Sequence, residues 1–311
     1  MKYTAFFVEY LQEIKKQDKM KEGQSSRTAE AAAALRANHF QNTQNPVFSD
    51  PYAFELTSKG WKKLLSSSLI IKVMNSAVLN RTLGLLTGQV VGRSRYAEDL
   101  LAQAVQQNTQ QYVLVGAGLD SFALRESHHY PTLKIFEVDH PDTQAAKQAK
   151  LKKLGNIPTT VEFVAINFEK ESISEALIRS LYDQSAPAFF SWLGTTHYLN
   201  PETTLQTLKS IAEFAANGSE VVLDYSTDFQ ELNGIERLGS IGVAQFTHLL
   251  KEPLLGQFKP IDLHQAVEQM GFEVVEDLSG EAITERYFNA RTDEIRHTSA
   301  TRLLHLRLNR N

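Results

Sequence analysis

The stretch QYVLVGAGLDSFALR, residues Gln111–Arg125, decides the fold class of this 311-residue chain. A β-branched run ends at two glycines one residue apart, Gly116 and Gly118, and Asp120 follows almost at once. A strand that stops at such a turn is typical of nucleotide-binding α/β folds, because glycines let a ligand approach the backbone closely. The third glycine of the dinucleotide pattern is missing, and Asp120 would repel a phosphate. The turn therefore indicates a bound ligand and leaves its identity open.

Apolar runs of strand length alternate with helical patterns from residue 111 onward. This alternation is typical of α/β proteins in which helices cover both faces of a mostly parallel sheet. It predicts a doubly wound, seven-stranded, Rossmann-like sheet with strands from YVLVGAG, LKIFEVD, TVEFVAINF, APAFFSWLG, SEVVLDYS, GFEVVEDL and ATRLLHLRLN. In such a sheet, ligands bind at the carboxyl ends of the strands, near the point where the strand order reverses.

The first ninety or so residues carry helical patterns and no strong strand. We therefore expect residues 1–92 to form an N-terminal helical cap and residues 93–311 to form the Rossmann-like domain. Weak periodicity marks an insertion near residues 227–260.

Glycines and prolines interrupt the helical pattern of the predicted cap at two places. Gly88 and Gly92 predict a break in the chain just before an amphipathic helix. Pro46 and Pro51 mark a loop that we expect to be a linker packed on the surface.

Composition excludes several classes of function. A net charge of −4 and a pI of about 6.2 argue against nucleic-acid and membrane partners. The absence of cysteine excludes disulfides, thiolate catalysis and cysteine-ligated zinc. The histidine spacing matches no metal-binding motif, so no metal is expected. Without a bilayer-spanning apolar run or a signal-peptide pattern, we expect a cytoplasmic protein, and its oligomeric state stays open.

An acidic residue about twenty positions after the glycine turn narrows the choice of ligand. Glu137, near the end of the second predicted strand, can accept both hydroxyls of a ribose. Asp139 is the alternative, and strand alternation places both on one face. NAD and S-adenosylmethionine both carry this ribose, but the ammonium and sulfonium charges of S-adenosylmethionine suit Asp120. The carboxylate of that ligand needs a basic partner, for which Arg93 and Arg27 are candidates.

Four stretches carry a family resemblance: GRSRYAEDLL, VLVGAGLDSFALR, IFEVDHPDTQAAKQAKL and FFSWLGTTHYLNPETTLQTLKSI. In order and spacing they resemble the S-adenosylmethionine-dependent methyltransferases of the leucine carboxyl methyltransferase group, which includes bacterial polyketide O-methyltransferases. SRTA, Ser26–Ala29, is similar to the N-terminal motif of that group. The resemblance covers roughly residues 25–280. It implies a methyltransferase whose helical cap and insertion line the cofactor and acceptor pocket.

Carried over residue by residue, the resemblance implies a set of cofactor contacts. Arg93 and Arg27 would hold the methionyl carboxylate, and Asp120 would fix the amino end through the turn. Residues 116–118 would line the methionine and ribose, and Glu137 would bind the ribose hydroxyls. The full predicted cofactor-binding set is Arg27, Arg93, Gly116, Ala117, Gly118, Asp120, Glu137, Val138, Asn167, Phe168 and Ser191.

The sequence departs from the group's pattern at two places. Asn167 and Phe168 stand where the group usually has Asp-Leu against the adenine amine, and the Asn167 amide oxygen can still accept that hydrogen bond. The group often has Glu-Gly after its fourth strand, whereas this chain has Trp192-Leu193-Gly194. This chain therefore lacks the carboxylate that would make the cofactor or substrate contact assigned to that glutamate in the group.

Methyl transfer is an in-line displacement, so positioning can supply most of the acceleration. We expect the acceptor to be a carboxylate or hydroxyl oxygen of a small molecule or chain end. A carboxylate needs no general base, whereas a phenol or enol would benefit from one. The candidate catalytic groups follow the fourth and fifth predicted strands: His197 as base, with Tyr198 and Asp224.

Two alternative functions stay open. One is an NAD-dependent oxidoreductase on a Rossmann fold, against which the missing third glycine and Asp120 both count. The other is a non-catalytic binding protein of the same fold, because the acceptor is not identified by the sequence.

Overall fold

The computed structural model describes residues 27–310 except 156, 169, 229–233, 235, 236 and 238–253. The predictions for residues 1–26, including Ser26 of the SRTA stretch, and for most of the insertion near 227–260 lie outside the described residues. Within the described ranges, no helix has both the length and the apolar character needed to cross a membrane.

The described part of the N-terminal region is helical, as predicted. Its helices, which lead to the first strand, are α1 (Arg27–Asn42), α2 (Ala53–Leu56), α3 (Lys59–Leu65), α4 (Ser68–Met74), α5 (Ala77–Asn80) and α6 (Leu83–Gln106).

From residue 111 the strands and helices alternate, and all seven predicted strands are present. The strands are β1 (Gln111–Val115), β2 (Lys134–Asp139), β3 (Val161–Ala165), β4 (Phe189–Trp192), β5 (Glu220–Ser226), β6 (Phe272–Leu278) and β7 (Thr301–Leu308). The intervening helices are α7 (Phe122–Arg125), α8 (Pro141–Leu154), α9 (Ile173–Ile178), α10 (Pro201–Phe214), α11 (Pro260–Gln269) and α12 (Gly280–Phe288). A 3₁₀ turn, Thr196–Tyr198, follows β4.

The seven strands form one sheet in the order β3-β2-β1-β4-β5-β7-β6. Strands β1 to β5 are parallel to their neighbours among themselves, and β7 is antiparallel to both β5 and β6. The predicted doubly wound, mostly parallel sheet is therefore confirmed. The strand order reverses between β1 and β4, so the crevice for a ligand is expected above these two strands.

Both faces of the central strands β1, β4 and β5 are buried, which explains their largely apolar sequences. Every residue of β1 is buried. Val113 and Val115 pack in the core beneath α9, α10 and α11, while Tyr112 and Leu114 pack in the core beneath α6 and α12. The alternate side chains of one strand thus serve two separate cores, so that few positions in it are free to be polar.

The predicted break at Gly88 and Gly92 is wrong, because α6 runs through both as one helix of 24 residues. A Cβ on Gly88 would lie 2.0 Å from the carbonyl oxygen of Arg296. A Cβ on Gly92 would lie 3.2 Å from Cδ2 of His297. These glycines therefore let a distant segment pack directly on the helix, and α6 continues across the predicted domain boundary at residue 92.

The loop between Pro46 and Pro51 is not a surface linker. Phe48 and Asp50 are buried, and Asp50 accepts a hydrogen bond from Nε of Arg36 at 2.8 Å. Nη2 of Arg36 also donates to the carbonyl oxygen of Leu119, at 2.6 Å. The loop thus holds α1 against the glycine turn, a role that proline spacing does not reveal.

Candidate active site

The glycine turn after β1 has the backbone conformation that its sequence predicts. Gly116 has φ of +70° and Gly118 has φ of +50°, in the left-handed region that favours glycine. A Cβ on Gly116 would lie 2.4 Å from Cγ2 of Thr195, in the loop after β4. The turn therefore closes against the neighbouring parallel strand, and both positions require glycine.

The end of β2 fixes the same turn through hydrogen bonds. The carbonyl oxygen of Val138 accepts from the backbone N–H of Gly116 at 2.8 Å and of Ala117 at 3.1 Å. Oδ2 of Asp139 accepts from the N–H of Gly118, and its Oδ1 accepts from the N–H of His140 at 2.6 Å. Burial raises the pKa of Asp139. Val138 thus acts through its backbone, because its side chain is fully buried in the core.

Glu137 lies deeper than Asp139 and faces α8. Its side chain is 1% exposed and forms an ion pair with Lys147, with 2.6 Å between Nζ and Oε2. Apart from Lys147, the described residues give neither carboxylate oxygen of Glu137 a hydrogen-bond partner. Burial raises the pKa of Glu137. Glu137 and Asp139, which alternation places on the same face of β2, therefore have different surroundings.

Arg93 of α6 and Asp224 of β5 meet above β4 although 131 positions separate them. Nη1 of Arg93 donates to Oδ2 of Asp224 at 2.9 Å. Oδ1 of Asp224 accepts from the N–H of Gly194 at 2.6 Å. The Asp224 side chain is 1% exposed and that of Arg93 is 13% exposed, so the pair is largely dry. The structure thus joins a predicted cofactor residue and a predicted catalytic residue in one cluster.

His197 completes this cluster, and both of its ring nitrogens are engaged. Nε2 lies 2.9 Å from Oδ2 of Asp224, and Nδ1 lies 2.8 Å from Oγ of Ser226. Burial would raise the pKa of Asp224, but His197 and Arg93 hold it well below its usual range. Asp224 is therefore an anion that orients two basic side chains. His197 has no free nitrogen in this arrangement with which to take a proton from an acceptor.

Tyr198 follows His197 in the 3₁₀ turn and is partly exposed. Its ring lies edge-on to the His197 imidazole, with 6.3 Å between centroids. The structure thus places it beside the polar cluster. Its predicted catalytic role stays a prediction.

Asp120 stabilises the start of α7. Its Oδ1 accepts from the N–H of Phe122 at 2.7 Å. The predicted contact between Asp120 and the cofactor's amino end stays a prediction. Arg27 begins α1, and Ala29 lies so near the turn that a Cβ on Gly118 would be 3.3 Å from its own Cβ. The start of α1 therefore packs against the glycine turn, as a role for Arg27 requires.

Asn167 and Phe168 lie just after β3, one residue beyond its end and beside the end of β2. The N–H of Ile166 donates to the carbonyl oxygen of Asp139 at 2.9 Å, which holds this segment next to the predicted ribose site. Ser191 is buried within β4 and pairs in register with Leu114 of β1. It therefore lies inside the sheet, one residue before the strand ends.

Two polar side chains at this site were not predicted from the sequence. Oγ1 of Thr195, beside Gly116, is buried without a hydrogen-bond partner among the described residues. Nε2 of His297, beside Gly92, is in the same situation. Thr195 lies next to a recognised motif and could have been included on that ground. His297 lies in the loop before β7, where no pattern in the sequence marks it.

The family model and two relatives that match this chain are all described as methyltransferases. A family model described as leucine carboxyl methyltransferase matches residues 29–212, more than half of the chain. YktD of Bacillus subtilis, provisionally named an S-adenosyl-L-methionine-dependent methyltransferase, is 27% identical over 296 residues, covering 89% of this chain and 95% of YktD. A Mycobacterium marinum protein with the same provisional description is 30% identical over 204 residues, 63% of this chain and 62% of that protein.

Two solved structures share the fold at low sequence identity. A DUF574 family protein of Streptomyces avermitilis has a TM-score of 0.60 and 12% identity, covering 92% of this chain and 98% of that one. A Thermobifida fusca protein, provisionally described as a methyltransferase, has a TM-score of 0.58 and 14% identity, covering 93% and 96%. The comparisons do not favour the alternative of an NAD-dependent oxidoreductase.

Proposed function

Because the chain belongs to the leucine carboxyl methyltransferase family and is an S-adenosylmethionine-dependent methyltransferase, we propose that it methylates a carboxylate oxygen. The acceptor is a small molecule or the end of a chain. The observation that carries this proposal is the engagement of both ring nitrogens of His197, by Asp224 and Ser226. A carboxylate is ionised at neutral pH and needs no base, so the occupied histidine is no obstacle to its methylation.

The glycine turn and its neighbours fit the cofactor. The Thr195 side chain packs directly on the backbone of Gly116, and its buried hydroxyl has no partner among the described residues. A polar ligand atom at this point would satisfy that hydroxyl. S-adenosylmethionine supplies a methyl group on a sulfonium, whose carbon is already activated. The work of the protein is then to hold this group and the acceptor in line.

Asp139 is the ribose carboxylate in this proposal, in place of Glu137. Asp139 ends β2, where ligands of doubly wound sheets bind, and it already contacts the glycine turn. Two of the lone-pair positions on its carboxylate are used by Gly118 and His140, which leaves capacity for two ribose hydroxyls. Glu137 is fully buried and paired with Lys147, so its part is to hold α8 on β2.

Arg93 holds the methionyl carboxylate, as the family resemblance implies. Only Nη1 is used by Asp224, and a guanidinium has five N–H donors, so Arg93 can bind a second carboxylate at its remaining donors. Asp224 fixes the direction of the guanidinium. His197 acts as a positioning residue, because it contacts Asp224 and Ser226 and acts on Arg93 through Asp224.

The adenine lies beside Asn167 and Phe168 at the end of β3. The Asn167 side chain offers an amide oxygen to the adenine amino group, and the partly buried Phe168 ring offers an apolar face. This assignment takes the position after β3 from the family pattern.

Product chemistry provides the test of a carboxylate acceptor. The protein is incubated with methyl-tritiated S-adenosylmethionine and matched pairs of acceptors, each a carboxylic acid and the corresponding alcohol. Peptides with a free or an amidated C-terminus form a further pair. A methyl ester releases tritiated methanol on mild alkaline treatment, whereas a methyl ether does not. We expect base-labile product from acids and free C-termini, and base-stable product from alcohols would overturn the proposal.

A further inference from the structure

His297 presents a buried nitrogen with no assigned partner. Its side chain is almost fully buried, and Nδ1 lies 2.9 Å from the carbonyl oxygen of Thr298. Because a carbonyl only accepts, Nδ1 carries the hydrogen and Nε2 presents a lone pair. Nε2 has no hydrogen-bond partner within the described residues. Buried acceptors are rarely left unpaired in native proteins, so this nitrogen points to a ligand that donates to it.

The glycines of α6 hold His297 at this position. Gly84, Gly88 and Gly92 recur every fourth residue and form one stripe along the helix. A Cβ on Gly92 would lie 3.2 Å from Cδ2 of His297, the ring atom bonded to Nε2. The backbone N–H of His297 also donates to Oγ1 of Thr284 at 3.1 Å. The imidazole is therefore held against the turn of α6 that carries Arg93.

The charges around His297 are those of the polar cluster already described. Burial lowers its pKa to about 4, Asp224 raises it, and Arg93 and His197 lower it. The imidazole is therefore neutral at physiological pH. A neutral lone pair is suited to a hydrogen-bond donor and accommodates a positively charged one, which a protonated imidazole would repel.

We propose that Nε2 of His297 accepts a hydrogen bond from the α-ammonium group of the bound cofactor. This inference rests on the proposed role of Arg93, because the ammonium lies on the carbon that bears the methionyl carboxylate. The carboxylate then meets the guanidinium while the ammonium meets the imidazole. A hydroxyl on the methyl acceptor would offer the same donor chemistry, and the experiment separates the two sources.

A double-mutant cycle between protein and ligand tests the proposal. The ligands are S-adenosylhomocysteine, its analogue without the α-amino group, and methylthioadenosine, which lacks the amino-acid part. Their affinities are measured by calorimetry for wild-type protein and for His297→Phe. We expect loss of the amino group to weaken binding to the wild type by about tenfold or more, since the lost hydrogen bond is to a charged group. The same loss should cost clearly less affinity in His297→Phe, where the bond to Nε2 is already absent.

Two further measurements keep the outcome clear. Methylthioadenosine should bind wild type and His297→Phe equally, which shows that the variant is folded around the adenosine site. His264→Phe is the control, because His264 pairs with Asp277 at the far edge of the sheet and should leave all three affinities unchanged. Equal costs of amino-group removal in wild type and His297→Phe would overturn the proposal. In that case the hydrogen-bond donor to Nε2 of His297 would be a hydroxyl group on the methyl acceptor.

Ring ¹⁵N spectra of the wild type cover the case in which His297→Phe does not fold. The Nε2 signal of His297, assigned with His297→Gln, should shift on addition of S-adenosylhomocysteine and stay in place with its deamino analogue. A shift of the same size with both ligands would also contradict the inference. Carboxylate methylation is tested separately by the alkaline lability of the product, so either idea can fail without the other.

Discussion

Asp224 organises the polar cluster at the level of single residues. It is fully buried, and it contacts Arg93, His197 and the N–H of Gly194 at once. A carboxylate in this situation is stabilised by its partners against the cost of burial, which is why its pKa is held well below the usual range. The arrangement joins α6, the loop after β4, and β5 at one point.

Asp224→Asn removes this charge with little change of shape. Because the folded-state pKa is lowered, the charge contributes stability above the unfolded pKa near 4, and this contribution is lost as pH falls. We expect the variant to be less stable by about 3–5 kcal/mol at pH 7, since it leaves Arg93 unpaired. Urea unfolding at pH 7 and at pH 3.5 measures this, and the difference should shrink in acid.

Asp262→Asn is the matched control, because this exposed acid in the first turn of α11 should change stability by less than about 0.5 kcal/mol. A wild-type advantage over Asp224→Asn that grew on acidification would contradict the assignment of an anionic Asp224.

Among the secondary-structure elements, the glycine stripe of α6 leads to a prediction about stability. Alanine in place of glycine normally favours a helix by up to about 1 kcal/mol. At Gly88 the added methyl would lie 2.0 Å from the carbonyl oxygen of Arg296, so the backbone must move. We expect Gly88→Ala to lower the free energy of unfolding by about 1–3 kcal/mol, the usual cost of overpacking. Thermal or urea unfolding measures it.

Gly60→Ala in α3 is the control for this prediction. Beyond the chain neighbours and the backbone of its own helix, the nearest heavy atom to its added Cβ would be Oγ of Ser58 at 4.0 Å, so the helix-favouring effect should remain. If Gly88→Ala and Gly60→Ala changed stability equally and in the same direction, the packing role of the stripe would be wrong.

The elements themselves were largely predictable from the sequence. Strands β1, β4 and β5 are buried along their whole length, and their largely apolar sequences marked them. The meaning of Gly88 and Gly92 was not predictable, because it depends on Arg296 and His297, which are some 200 positions away in the chain. A glycine in a helical pattern shows only that no side chain is present, and not what occupies the space.

In the site too, local features were predictable from the sequence and contacts between distant residues were not. The glycine turn lies within one short stretch and was found directly. The pairing of Arg93 with Asp224 depends on contacts across the sheet that spacing does not encode. The same holds for Nε2 of His297, which has no partner in the part of the chain that the structure describes. Glu137 and Asp139 share a face in an alternating strand, and only the structure shows that Lys147 pairs with the first.

For the whole molecule, the buried histidines His39 and His297 contribute to the loss of stability in acid. Burial lowers the pKa of His39 to about 4, and the same holds for His297. Since both pKa values are lowered on folding, the neutral forms contribute stability above pH 6.5 that is lost as pH falls toward 4. We expect each histidine to add about 1.4 kcal/mol per pH unit to the slope in this window.

His39→Gln isolates one of these contributions. The amide oxygen of glutamine can replace Nε2 of His39, which accepts from the N–H of Val47 at 2.9 Å. Denaturant unfolding between pH 7 and pH 5 should show a slope smaller by about one proton in this variant. An unchanged slope would mean that His39 is not buried in its neutral form.

The most direct test of the account concerns the cofactor crevice between β1 and β4, with the ribose on Asp139. Calorimetric titration of S-adenosylhomocysteine into wild type, Asp139→Asn and the exposed control Asp183→Asn is the decisive measurement. Asparagine at 139 has one acceptor oxygen, which can keep the bond from Gly118 while the bond from His140 is lost. The glycine turn should therefore persist while the charge-assisted bonds to ribose are lost. We predict that Asp139→Asn binds about tenfold or more weakly, with Asp183→Asn equal to wild type. Wild-type affinity in Asp139→Asn would contradict the account.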